Sequence, residues 1–168
     1  MAIASSTTIG KSNLYSQAYA NIYNLINTRA SVVDPIDSTG ARKFIYTRDP
    51  RVQGRGFKGY PLIIINPADI PFNNPSFNRK NKDTEFKFII EVWSSDDIVG
   101  RQDNGLQYLD SISDDIMESL NAEENTLSRY GLHNMEIESS PADSMDVGNT
   151  FIFTRTFTIT FENRMLLS

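Results

Sequence analysis

The residue pattern of this chain predicts an α+β fold: a mostly antiparallel sheet of about five strands with two main helices packed on one face. Three observations lead there. Two stretches repeat apolar residues at helical spacing, and two others alternate apolar and polar residues one by one. Between them, turn residues fall where connections are needed. Amphipathic helices and half-buried strands must cover each other's apolar sides, and two helices suffice to cover one sheet face. A length of 168 residues suits a single domain spanning 1–168, and neither an internal repeat nor a dividing linker is visible.

Residues 1–11 are small and polar and are expected to form a flexible lead-in. Leu14, Ala18, Ile22 and Leu25, widened by Tyr15, Tyr19, Tyr23 and Ile26, line one face of a helix over 12–29, with Ser12 as its cap. Asp34-Pro35 and Ser38-Thr39-Gly40 carry turn chemistry. A short strand is expected over 42–47, followed by a glycine-rich basic loop over 48–59. Leu62 to Ile65 is a continuous apolar run, the mark of a strand buried on both faces. Pro67, Pro71 and Pro75, with Asn73, Asn74 and Asn78, then predict a long irregular connection over 66–83 carrying Ile70, Phe72 and Phe77.

Over 84–93 the alternation is clean: Phe86, Phe88, Ile90 and Val92 face one way, and Glu85, Lys87, Ile89, Glu91 and Trp93 the other. A turn at 94–100 leads to a second helix over 103–123. Leu106, Leu109, Ile112, Ser113, Ile116, Met117 and Leu120 form its stripe, with Asp110, Asp114, Asp115 and Glu118 mostly off it. A weaker strand is expected over 132–138. In the last strand, 150–162, Phe151, Phe153, Phe157, Ile159 and Phe161 share a face with Arg155, and Ile152 shares the other with four threonines.

Composition excludes several chemistries. Without cysteine there are no disulfides or thiolate metal sites, and with His133 as the single histidine a zinc site would depend almost wholly on carboxylates. No apolar run approaches the roughly 20 residues that span a bilayer, so no membrane association is expected. Met1-Ala2-Ile3-Ala4-Ser5-Ser6 lacks a basic region followed by an apolar stretch, so no secretory signal is expected either.

Charge is unevenly spread within a net −5. From Arg42 to Lys58, six basic residues stand against one acid; from Asp96 to Asp146, thirteen acids stand against Arg101 and Arg129. The plain account is two solvated surfaces. The sharper one is a self-complementary dipole in which the basic loop of one copy meets the acidic flank of the next, a geometry that favours rings. The acidic balance argues against nucleic acid as the main partner. On the sharper account, reversing Arg51 and Arg55 to Glu is expected to weaken self-association.

Asp69 followed by Glu85-Phe86-Lys87 resembles the carboxylate–lysine arrangement of magnesium-dependent nucleases, but Asp69 lies between Pro67 and Pro71 in irregular chain, and Glu-x-Lys is common on solvated strands. His133 has no serine or cysteine nucleophile arrangement around it and reads as a surface or loop residue. Gly54-Arg55-Gly56 is not followed directly by a helix, so it lacks the dipole of a phosphate cradle. Acid pairs such as Asp114-Asp115 lack the alternation of a calcium loop. No catalytic, cofactor or metal site is therefore expected. What remains is interaction surface: Arg48, Arg51, Arg55, Phe57, Lys58, Phe72 and Phe77 on the two loops, and Asp110, Asp114 and Asp115 on the acidic helix.

The helix over 12–29, Tyr60-Pro61-Leu62-Ile63-Ile64-Ile65-Asn66-Pro67 and Phe86-Lys87-Phe88-Ile89-Ile90-Glu91-Val92-Trp93 carry a resemblance. So do Leu109-Asp110-Ser111-Ile112-Ser113-Asp114-Asp115-Ile116 and Phe153-Thr154-Arg155-Thr156-Phe157-Thr158-Ile159-Thr160-Phe161. In this layout the chain resembles the tail-terminator (tail-completion) and neck proteins of tailed bacteriophages, as a pattern over most of its length. The resemblance implies a structural virion protein of the tail or neck, assembled in the host cytoplasm. It would form a hexameric homo-oligomeric ring that caps the tail tube, touches the tube protein and head or neck connector proteins, and lets DNA pass through its channel. It implies no cofactor and no catalytic residue. A head-completion or other head-tail connector is the neighbouring alternative, and the magnesium-dependent nuclease the alternative from another class.

Overall fold

The computed structural model describes residues 14–28, 32–52, 56–67, 81–96, 104–129 and 131–166. They form α1 (Leu14–Thr28), β1 (Ile45–Tyr46), β2 (Leu62–Pro67), β3 (Asn81–Ser95), α2 (Gly105–Arg129), β4 (His133–Ser139), β5 (Asp143–Val147) and β6 (Thr150–Leu166). The α+β fold with two helices is as the sequence predicts, and the mixed sheet has six strands rather than five. Their order is β1-β2-β3-β6-β4, with β5 also paired to β6, and only the β1–β2 pair is parallel.

β3 and β6 are the spine, antiparallel from Asn81↔Leu166 to Ser95↔Ile152. Their alternation sorts residues as expected: Phe86, Phe88, Ile90, Val92, Phe157, Ile159 and Phe161 are buried together with Ile63 and Ile65 of β2. Both helices close this face. Ala18, Ile22, Leu25 and Ile26 come from α1, and Leu109, Ile112, Ile116, Leu120 and Leu127 from α2. The Tyr19 hydroxyl donates to the Ile65 carbonyl at 2.9 Å, and burial, then Tyr23, pushes its phenol up to about 12.

Leu106 departs from the expected α2 stripe and is exposed. The helix begins at Gly105, and the buried stripe runs 105, 109, 112, 116 and 120. A Cβ at Gly105 would lie 2.8 Å from the Ser95 carbonyl carbon, so only glycine lets the helix start press against the end of β3. The Asp96 carboxylate accepts the Gly105 amide at 3.1 Å, capping that start. The connection expected over 66–83 is shorter at both ends, because β2 reaches Pro67 and β3 begins at Asn81; residues 68–80, with Ile70, Phe72 and Phe77, lie outside the described residues. So does the expected lead-in over 1–11 with the Ser12 cap.

On the opposite sheet face a second, smaller cluster buries Tyr46, Leu62 and Ile64 against Tyr60 and Trp93. The rest of that face carries the partly buried threonines 154, 156, 158 and 160 and is covered by neither helix.

Candidate interaction surface

The chain from 32 to 61 shows how the basic segment is held. Asp34 is buried, and its carboxylate accepts the Ile36 amide at 2.9 Å together with two guanidinium bonds from Arg42, Nε at 2.6 Å and Nη2 at 2.8 Å. Arg42 also donates to the carbonyls of Gly59 and Pro61, both at 2.9 Å. One guanidinium thus joins the turn after α1 to the chain entering β2. Hydrogen bonds from the Thr39 hydroxyl and the Arg42 amide hold the Asp37 carboxyl below its ordinary range. An open cleft of about 400 Å³ lies here, lined in part by Tyr23, Asn27, Asp37 and Lys43. Its buried charges are already committed to each other.

Part of the glycine-rich basic loop expected over 48–59 packs back on the sheet. Arg51 forms a two-pronged bond with Asp49, Nε and Nη2 both at 2.8 Å, and lies 3.7 Å over the Trp93 ring. Phe57 meets Tyr60 edge-on at 5.1 Å. The segment is therefore a cover for the second cluster. A guanidinium can lie flat on an indole while its edge binds a carboxylate, and that combination explains the fold-back. Arg48 and Lys58 remain exposed, Phe57 and Val52 are exposed at 39% and 52%, and Lys43 lies 5.0 Å over the Tyr46 ring. Residues 53–55, including Arg55, lie outside the described residues.

Because Arg51 is used internally, reversing it to Glu would set a carboxylate beside Asp49 and uncover Trp93, which makes it a poor probe of association. Arg51→Ala should lower stability by about 1–2 kcal/mol through lost stacking and lost cover, read from the denaturant midpoint. Arg51→Lys should recover little of it. A midpoint unchanged in both variants would mean that Arg51 does not hold the cover in place.

The described acidic residues from 110 to 146 occupy two places. On α2, Asp110 and Asp114 are exposed and Asp115 is half-buried. Asp110 is paired with Arg155 of β6 at 2.9 Å, so it fastens the helix to the sheet. Partial burial, then Glu118 and Asp114, raises the Asp115 carboxyl above its ordinary value. The second place is the β4–β5 edge, where Glu136, Glu138, Asp143 and Asp146 are all exposed and no lysine or arginine occurs from 132 to 153. Charge is thus polarised across the sheet: basic residues gather at the β1 edge, and acidic ones at the β4–β5 edge opposite.

Sequence reasoning missed the β5–β6 hairpin, although the signal was present. Gly148 and Asn149 form a two-residue turn with φ of +57° and +74°, the conformation that favours Gly and Asn between antiparallel strands. As to chemistry, Glu85 and Lys87 do share the helix-free sheet face, with Lys87 exposed, but Asp69 lies outside the described residues. His133 is exposed as expected; contrary to expectation a serine is close, the Ser128 hydroxyl lying 2.9 Å from its Nδ1 across the turn from α2 to β4. Among the described residues no three His, Asp or Glu side chains converge to hold a metal ion, and no helix is long and apolar enough to cross a membrane. No protein-family model matches this chain, and no curated protein matches it significantly.

Proposed function

We propose that this chain is a structural virion protein that assembles head-to-tail into a ring, closing the phage tail tube and joining tail to head. The observation that carries the reading is the charge polarity across one rigid sheet. A basic edge and an acidic edge on opposite sides of a protomer attract between copies, and such a contact, repeated by rotation, closes a ring. Contacts made through the edges leave α2 free, and its exposed acids suit a channel wall past which DNA slides, since like charges keep the polyanion from adhering.

The test is sedimentation of the full chain over a range of concentration and salt, followed by negative-stain imaging. A ring of one size with a central hole, loosened as salt screens the edges, and found at the ends of isolated tail tubes, is the expected result. A monomer at high protein concentration and low salt refutes the reading.

A further inference from the structure

Among the described residues, the tip of the β5–β6 hairpin is poorly covered. All five β5 residues are exposed, and Met145, Val147 and Phe151 are exposed at 40%, 53% and 50%. Met145 stands opposite Ile152, and Val147 two pairs nearer the turn, on the same face. Facing water, such side chains add little to stability, and apolar groups gathered at a tip mark a surface that another protein covers. The hairpin is also stiff. Its turn is a tight two-residue one, and close to that turn the Asp96 amide donates to the Phe151 carbonyl at 3.0 Å.

Its charge says what covers it. With Asp143 and Asp146 as its only charged residues, the hairpin needs a surface that is apolar and basic. A described surface that combines both is offered by the segment between β1 and β2, where Arg48, Val52, Phe57 and Lys58 are all exposed. Within one protomer β6 lies between β5 and β3, the strand over whose Trp93 the Arg51 side chain lies.

We infer that the β5–β6 hairpin of one copy docks on the Arg48–Val52–Phe57–Lys58 surface of the next, placing Met145 and Val147 against Val52 and Phe57, and Asp143 beside Arg48 and Lys58, with Asp146 at the edge of the contact. This rests on the ring reading and assigns its contact. Phe151, on the other side of the ribbon beside Asp146, lies at the rim of that contact.

The experiment uses two charge-reversed full chains, Asp143→Lys with Asp146→Lys, and Arg48→Glu with Lys58→Glu. All four positions are exposed, and circular dichroism with thermal melting checks that each variant folds. Each variant alone should need a protein concentration at least about tenfold higher than wild type to assemble, because like charges then face each other. Mixed in equal amounts they should assemble again, since each reversed surface finds its complement on the other chain and alternation closes an even-numbered ring. The chain carrying all four reversals should also assemble. Met145→Ser with Val147→Ser, which leaves charge unchanged, should weaken assembly without rescue by mixing. Assembly of either reversed variant at wild-type concentration, or failure of the mixture to recover, overturns the hairpin contact while wild type still forms rings. A wild-type chain that never assembles overturns the ring reading as well, so the two failures are distinguishable.

Discussion

Replacing Phe161 with Ala should destabilise the protein by about 3–5 kcal/mol. In a domain of this size that corresponds to a fall in Tm of roughly 6–20 °C. Phe161 has no exposed surface, stands directly opposite Phe86, and meets Phe88 edge-to-face with ring centroids 6.1 Å apart. Its ring lies in the layer that both helices close, so truncation leaves a void between rigid neighbours. Collapse into that void is limited, because β6 is fixed by hydrogen bonds to β3 on one side and β4 on the other. Phe151→Ala, on the same strand but exposed, should change stability by no more than about 0.5 kcal/mol. Comparable losses in the two variants would mean that the buried face of β6 has been misassigned.

That contrast marks how far the sequence was legible. Phe151 and Phe161 belong to one alternating run, and periodicity alone gives them the same face. What separates them is the end of the helical layer, a tertiary fact. The same limit explains Leu106, which has the right spacing for the α2 stripe yet sits in a first turn where Gly105 makes the contact with β3. Elements whose apolar period runs long, α1, β3, α2 and β6, could be read because burial itself imposes the period. β5 could not be read that way, since Asp143-Ser144-Met145-Asp146-Val147 faces solvent throughout and only its turn betrays it. The acidic and basic stretches were visible in composition. Their placement on opposite sheet edges was not, because it depends on β1 pairing parallel to β2 at one end of the strand order and β4 closing the other. Arg51, a charge the sequence offers to a partner, is bound by Asp49 and stacked on Trp93 within the protomer, a use that composition does not reveal.

Arg42→Met should cost a comparable amount, about 3–5 kcal/mol, by leaving the Asp34 carboxylate buried without its partner. The Asp34 side chain is 4% exposed and that of Arg42 15%, so water reaches the carboxylate poorly after the change. Two carbonyls, Gly59 and Pro61, lose their donor at the same time. Arg42→Lys should restore only part of the loss, because an ammonium cannot fork across the carboxylate and still reach both carbonyls. The double variant Asp34→Leu with Arg42→Met should be less damaged than Arg42→Met alone, since it removes the stranded charge along with its partner. A double variant as damaged as the sum of the two single ones would show that the pair is not energetically coupled. The pair also bears on assembly. It ties the turn at 34–36 to the chain at 59–61, immediately before β2, and so fixes the base of the segment that carries Arg48, Val52, Phe57 and Lys58. If that segment receives the neighbouring copy, Arg42→Met should weaken self-association even below its own melting temperature, although Arg42 touches no other copy in the proposed contact. Phe161→Ala, which leaves the 34–61 region in place, should lower the melting temperature while sparing assembly in the cold.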